Sequence, residues 1–344
     1  MTILNKVLEN KKIWPPPIWM MRQAGRYLPE YNKIRTQAGG FINLCYNPSL
    51  SSQVTLQPID RFDFDAAIIF ADILLILENM NFTLTFKNNS GPIIKECLLE
   101  STQGSSINKI INVQNSKLMN IMEAIYLTRK KLDKDKSLIG FCGGPWTVLT
   151  YLVSGKSTKD FDTIIKWLHR NESMANEYIN TITSLSIDYL CLQIESGADV
   201  VKIFDSWAGV LGEKDFRKWV IKPTKKIVES IKDKFPKIPI IGFPKNASEL
   251  YFEYIKDTGV DIIALDSDID RDYCRQTLQR EAVLQGNISP ELLRLGGKKM
   301  YNDIYLNLEK FRDETFIMGL GHGIIKDTPI EHVKEFVKIV RNTK

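Results

Sequence analysis

Residues 21 to 35 read MRQAGRYLPEYNKIR, which sets Arg22, Arg26, Lys33 and Arg35 beside a single acid, Glu30. Arginine keeps its charge at any working pH and offers a rigid fork of donors, so three guanidiniums gathered here suit an anion with several acidic groups. A solvated basic surface explains the same charges equally well at this level. The next candidate is Asp72, which interrupts the apolar run AAIIFADILLIL. A carboxylate in such a run must be hydrogen-bonded or charge-paired to be tolerated. Capping of a helix that begins at Ile73 would account for it as well. Further along stand Tyr151 in GGPWTVLTY, Ser206 in DSWAG, Lys245 in PKNAS, Asp266 in DSD, Asn287 in NIS and His322 in GLGHGI.

Each of these residues follows a short apolar run. Eight such runs, at 18–22, 66–71, 138–143, 199–204, 239–243, 260–265, 282–287 and 315–320, alternate with helix-patterned segments. Strands covered on both faces read as continuous hydrophobic runs, and alternation with helices points to a parallel sheet. Eight units predict an α/β fold closed as a single-domain (β/α)8 TIM barrel over residues 1–344, with the chemistry at the carboxyl ends of its strands. An open doubly wound sheet is the alternative. Glycine turns after the last strands of barrels also bind phosphate, so a phosphorylated ligand near His322 stays open.

FTLTF and IIKEC, joined by KNNSGP, predict a small hairpin insertion after the second strand. STQGSSINKIINVQNS reads as a surface loop, RKKLDKDK as a solvated helix end, and His169 and His332 as surface histidines.

Composition excludes several classes. The chain of 344 residues is 44% hydrophobic and 25% charged, as expected of a globular protein with a large core. Its net charge of +5 arises from 46 basic and 41 acidic residues interspersed along the chain, so no nucleic-acid footprint is implied. The five cysteines form no CxxC and no zinc spacing, which fits a reducing cytoplasm. The first residues lack the apolar core of a signal peptide. The most apolar run is well short of the ~20 residues that cross a bilayer, so no membrane partner is expected.

The strings MRQAGRYLPEY, FADIL, GGPWTVLTYLVSG, FDSWAG, FPK and GLGHGI, in this order, resemble the uroporphyrinogen decarboxylase family from about residue 15 to residue 335. The resemblance implies a cytoplasmic (β/α)8 lyase of porphyrin and haem biosynthesis, usually a homodimer. Such a carboxy-lyase removes the four acetate carboxyls of uroporphyrinogen III to give coproporphyrinogen III and carbon dioxide, with no metal and no organic cofactor. Carried over by position, Arg22, Gln23, Ala24, Gly25 and Arg26 contact substrate, and Arg35 is a further cleft arginine. Asp72 resembles the aspartate that binds the pyrrole nitrogens. Tyr151, Ser206 and His322 resemble the remaining contacts, and catalysis falls to Asp72, Arg22 and Arg26. The sequence departs from the family pattern at ALDSD, NISP and PKNAS, which weakens any role for Asp266 to Asp268 or Ser289.

Two rivals predict other features. A zinc methyltransferase sharing the barrel needs clustered histidine and cysteines, for which Cys142 and His322 are the strand-end candidates. A non-catalytic binder of anions or nucleic acid would use the arginines without Asp72, among interleaved aromatics.

Overall fold

The computed structural model describes residues 1–9, 12–87, 91–100 and 110–343. Its strands are β1 (Ala66–Ile68), β2 (Leu84–Lys87), β3 (Gly91–Ile94), β4 (Ser137–Gly143), β5 (Val200–Asp205), β6 (Ile240–Pro244), β7 (Ile262–Ala264), β8 (Val283–Ile288) and β9 (Phe316–Leu320). Seven of the predicted runs build one sheet in the order β1-β4-β5-β6-β7-β8-β9, every neighbouring pair parallel. Crossover helices such as Pro145–Ser154, Glu172–Glu195, Lys222–Lys234 and Leu250–Thr258 return the chain between strands. Each residue of β4 is buried, because the sheet has helices on one side and its own curved interior on the other.

The run at 18–22 behaves differently. Only Ile18 pairs, in a parallel bridge to Met318 of β9. The Met318 amide donates to Pro17 O at 2.8 Å, and the Trp19 amide to Met318 O at 3.3 Å. On the other flank the Asp65 amide donates to Ile18 O at 2.9 Å, and Asp65 Oδ2 accepts from the Ile18 amide at 2.6 Å. This segment therefore lies between β9 and the residue before β1. It cannot extend into a ladder: Pro15, Pro16 and Pro17 have no N–H to give, and at Arg22 the backbone turns left-handed, with φ 59°.

β2 and β3 pair antiparallel, from Leu84 opposite Ile94 to Lys87 opposite Gly91, and residues 88–90 between them lie outside the described residues. So does 101–109 of the polar tract, whose Val113 is buried in a short 3-10 turn. The charge run is more than a solvated helix end. Arg129 donates to Asp199 at 2.7 Å and to the carbonyls of Leu132, Asp133 and Lys136, clamping the helix Met119–Lys131 to the start of β5. His332 is likewise no free surface group, since its Nδ1 lies 3.0 Å from Leu293 O and its ring packs on Gly296. His169 is exposed and pairs with Asp215 at 2.7 Å.

Side chains alternate along β5. Phe204 meets Phe141 and Phe243 inside the curve of the sheet, with ring centroids 5.4 and 6.2 Å away, whereas Asp205 points to the helix Pro145–Ser154.

Candidate active site

The arginine segment is held by its one uncharged amide side chain. Gln23 is fully buried; its Nε2 donates to Ala66 O at 2.9 Å and its Oε1 accepts from the Met20 amide at 3.0 Å. Tyr27 Oη donates to Gln23 O at 2.7 Å. These bonds tie the turn to β1 and leave no side-chain group of Gln23 for a ligand. Gly25 completes the turn beside Ala24, where a Cβ would stand 3.0 Å from Arg22 O. Replacing Gln23 by alanine strands Ala66 O and the Met20 amide in the core. At about 1–3 kcal/mol for each of the two buried groups left unpaired, we expect roughly 2–6 kcal/mol of lost stability. A urea midpoint unchanged in Gln23→Ala would contradict this anchoring role.

Arg22 and Arg26 reach solvent, and Arg35 sits half-buried on the helix Pro29–Gln37. Glu30, the one acid of the segment, is turned to Arg61 at 2.6 Å. Among the described residues none of Arg22, Arg26 and Arg35 has a carboxylate partner. Arg35 and Arg26 both act on Tyr31, whose phenol burial pushes up to about 12. The Arg22 side chain crosses to the loop after β9, where a Cβ on Gly323 would lie 2.4 Å from its Cδ. That loop carries His322.

Asp72 follows β1. Its Oδ1 accepts from the Leu74 amide at 2.9 Å in a local turn, but it caps no helix: the 3-10 helix Leu75–Met80 has Leu74 at its N-cap and no side-chain cap bond. Its Oδ2 has no hydrogen-bond partner among the described residues. Burial raises this carboxyl to about 6, against the opposing pull of the Leu74 amide and of the Arg22 charge. Water still reaches part of the side chain from the cleft mouth. Tyr151, on the helix Pro145–Ser154, is raised by burial and then by the Asp72 charge, and its ring centroid is 6.5 Å from that of Trp207. His322 Nδ1 accepts from the Gly323 amide at 2.6 Å, which puts the proton of the neutral ring on Nε2. Burial, then Arg22, Lys245 and Lys202, lower this imidazole to about 3. Ser206 stands one residue past the end of β5, half-buried. Arg22, Asp72, Tyr151 and His322 thus meet at the carboxyl ends of the strands, with Arg26 and Arg35 on the neighbouring rim.

The chain matches the protein family described as Uroporphyrinogen decarboxylase (URO-D) over residues 2–343. It belongs to the uroporphyrinogen decarboxylase family. Curated relatives bearing that name include those of Orientia tsutsugamushi (strain Ikeda), 45% identical with 95% of this chain and 94% of the relative covered, and of Rickettsia bellii, 44% identical with 98% and 96% covered. That of Chelativorans sp. is 42% identical, with 98% and 97% covered. Among solved structures, a methyltransferase from Methanosarcina mazei superposes with a TM-score of 0.76 over 98% of this chain and 96% of its own. At 20% identity that likeness speaks for the fold alone.

The methyltransferase rival needs His322 and Cys142 on one ion, and this member of the decarboxylase family holds them apart. Cys142 is buried against Ser186 of the helix Glu172–Glu195 and Asp205, which keep it on the helix side of the sheet, a thiol pushed up to about 12 by burial. Among the described residues no three His, Cys, Asp or Glu side chains gather as a metal site. No helix among them is long and apolar enough to cross a membrane.

Two cations lie outside the residues carried over from the family pattern: Lys245, already named at a strand end, and Lys202, which was not named from the sequence. Lys245, after β6, has no acid partner among the described residues and adds its charge to that felt by His322. The signal was its place at a strand end. Lys202 is buried inside the sheet, with its Nζ 4.7, 4.9 and 5.1 Å from the rings of Trp19, Phe204 and Phe243 and 3.5 Å from Gln285 Oε1. A lysine at an inward position of a fully buried run was the clue to it. Asp266 is consumed by the fold: its carboxylate accepts from Tyr251 Oη and the Asn246 amide, each at 2.9 Å.

Proposed function

We propose that this chain decarboxylates uroporphyrinogen III, converting its four acetate arms to methyls and releasing coproporphyrinogen III. The observation that carries the reading is the cluster of arginines without acid partners around a carboxylate with one free oxygen. Uroporphyrinogen brings many carboxylates and four pyrrole N–H groups, the complement of that arrangement. Carboxylates entering a cleft that excludes water need charge partners, and Arg22, Arg26, Arg35 and Lys245 offer them.

Loss of CO2 breaks a C–C bond and leaves its electron pair on the arm. Protonating the pyrrole makes the ring the sink for that pair; the exocyclic methylene then takes a proton to become methyl, and the ring sheds its own. Each turn consumes one proton per CO2. Asp72 Oδ2 accepts the pyrrole N–H hydrogen bonds and stabilises the positive charge that develops on the ring, in place before the reaction begins. The neutral His322, through Nε2–H, and the Tyr151 phenol serve as hydrogen-bond donors to substrate, with Ser206 on the same wall. Arg22 and Arg26 take part in catalysis by holding the reacting arm. With this function we propose the finer architecture: one domain over 1–344 whose barrel is closed by the Ile18 segment as its eighth stave, carrying a hairpin after the second stave, in a cytoplasmic homodimer.

The direct test is anaerobic incubation with uroporphyrinogen, following CO2 and products with seven to four carboxyls. Absence of both would reject the assignment. Activity is also expected to survive exhaustive chelation, since the residues at hand make a charge pocket and no ligand set. Loss on chelation, restored by zinc, would return the methyltransferase reading.

A further inference from the structure

Beneath Ser206 lies a carboxyl that the reaction does not touch. Asp205, the last residue of β5, is fully buried on the helix side of the sheet. Its Oδ1 accepts from Thr147 Oγ1 at 2.5 Å, and Thr147 Oγ1 in turn accepts from the Trp207 amide at 3.0 Å. A threonine hydroxyl has one proton, so the chain runs in one direction, from Trp207 N–H to Thr147 O–H to Asp205. Trp146 Nε1 donates to Trp207 O at 2.9 Å, holding the other side of the same residue. Asp205 O accepts from the Lys245 amide at 3.1 Å, which couples the position to the next strand end.

Asp205 Oδ2 is buried without a hydrogen-bond partner among the described residues. No cation approaches it among the described residues. The titratable groups that face it are the Cys142 thiol of β4 and the Tyr254 phenol of the helix Leu250–Thr258, both neutral, with Thr147 from the helix Pro145–Ser154. Gly144 closes the remaining side, where any Cβ would stand 2.5 Å from Oδ2. An ionised carboxylate here would have the Thr147 hydroxyl and backbone N–H as donors but no counter-charge and no access to solvent, which is an expensive state. A carboxylic acid leaves one buried O–H without an acceptor, the smaller cost of the two. Burial raises this group to about 7, against the opposing effect of Thr147.

We propose that Asp205 is a positioning residue acting as the neutral acid: through Thr147 it fixes the Ser206–Trp207 peptide, and so the wall of the cleft that Ser206 and Tyr151 share. It makes no contact with the reacting atoms. The inference rests on the decarboxylase reading only in giving that wall a substrate to hold. Ionising Asp205 strains the surroundings of Oδ2 and loosens the wall, so substrate binding weakens on the alkaline side while the chemistry at Asp72 proceeds.

The test is KM and kcat for uroporphyrinogen between about pH 6 and 9, with thermal midpoints recorded without substrate between about pH 4 and 9. In the unaltered protein KM is expected to climb above about pH 7, and the midpoint to fall as pH rises towards about 7 and level off beyond it, because in that window the unfolded chain has released the proton that the folded state still holds. Asp205→Asn keeps an acceptor for Thr147 and cannot ionise, so both trends should flatten. Thr147→Val should raise KM several-fold at every pH with kcat nearly unchanged, and Thr147→Ser should restore it. An Asn variant that folds and keeps the alkaline rise in KM and fall in midpoint overturns the proposal. If the Asn variant does not fold, equal KM values in Thr147→Val and Thr147→Ser overturn it instead. A wild-type protein that releases no CO2 sinks the decarboxylase reading, whereas the midpoints still decide whether Asp205 is neutral.

Discussion

Asp72→Asn is expected to slow single-turnover decarboxylation by ~10²-fold or more while the unfolding midpoint stays in place or rises. Asparagine keeps an oxygen for the Leu74 amide, so the turn survives. What disappears is the negative charge that the proposed mechanism sets against the pyrroles, and removal of a single preorganised contact at a developing charge costs about 10²–10³ in rate elsewhere. Loss of a buried, poorly compensated carboxylate does not harm the fold, since burial already disfavours its ionised form. The sign of the pH effect follows. The charge is present above about 6 and is titrated away below it, so kcat/KM of the free protein should fall about tenfold per pH unit on the acid side. The Asn variant should lack that limb. A folded Asn variant with wild-type turnover would leave Asp72 as a turn residue and nothing more.

The second large effect is expected at Arg22, whose charge reaches Asp72, Tyr151 and His322 together. Arg22→Lys keeps the charge and loses the two-pronged grip, so kcat/KM should fall by roughly tenfold to a hundredfold, through a higher KM and a lower kcat together, the worth of a charge-assisted hydrogen bond of ~1.5–3 kcal/mol. Arg26→Lys, on the rim, should act mainly on KM. Backbone geometry supplies a control. Arg22 occupies the left-handed region at φ 59°, which costs a non-glycine residue on the order of 1 kcal/mol. Arg22→Gly should therefore unfold at a higher urea concentration than Arg22→Lys while being the less active of the two. Near-wild-type kinetics for Arg22→Lys would remove the fork from the mechanism.

Much of this arrangement is legible in the sequence because strands covered on both faces leave unbroken apolar runs. The run at 138–143 appears as β4, which starts one residue earlier, and that at 199–204 as β5, displaced by one residue. The segment at 18–22 was legible as apolar but not as a single bridge, since its fate depends on three prolines and on hydrogen bonds to residues remote in sequence. Arg22, Asp72, Tyr151 and His322 could be named singly from strand ends, and the fold brings them together. Gln23 reads as part of a binding string, yet its amide is occupied by the fold, a distinction carried by burial and invisible to residue type. The thread from Trp207 through Thr147 to Asp205 could not be read at all, because it joins side chains of separate elements through one hydroxyl.

The bridge between Ile18 and Met318 also sets a timetable. Contacts distant along the chain close late, after local helices and neighbouring strands have formed. A ribosome releasing this chain delivers the arginine segment first and the strand that pins it nearly last. Until β9 emerges, the guanidiniums have a turn but no wall to stand on, and the nascent protein has a scaffold without a grip on polyanions. Pulse-labelled hydrogen exchange should accordingly find the Trp19 and Met318 amides protected after those of β4 and β5.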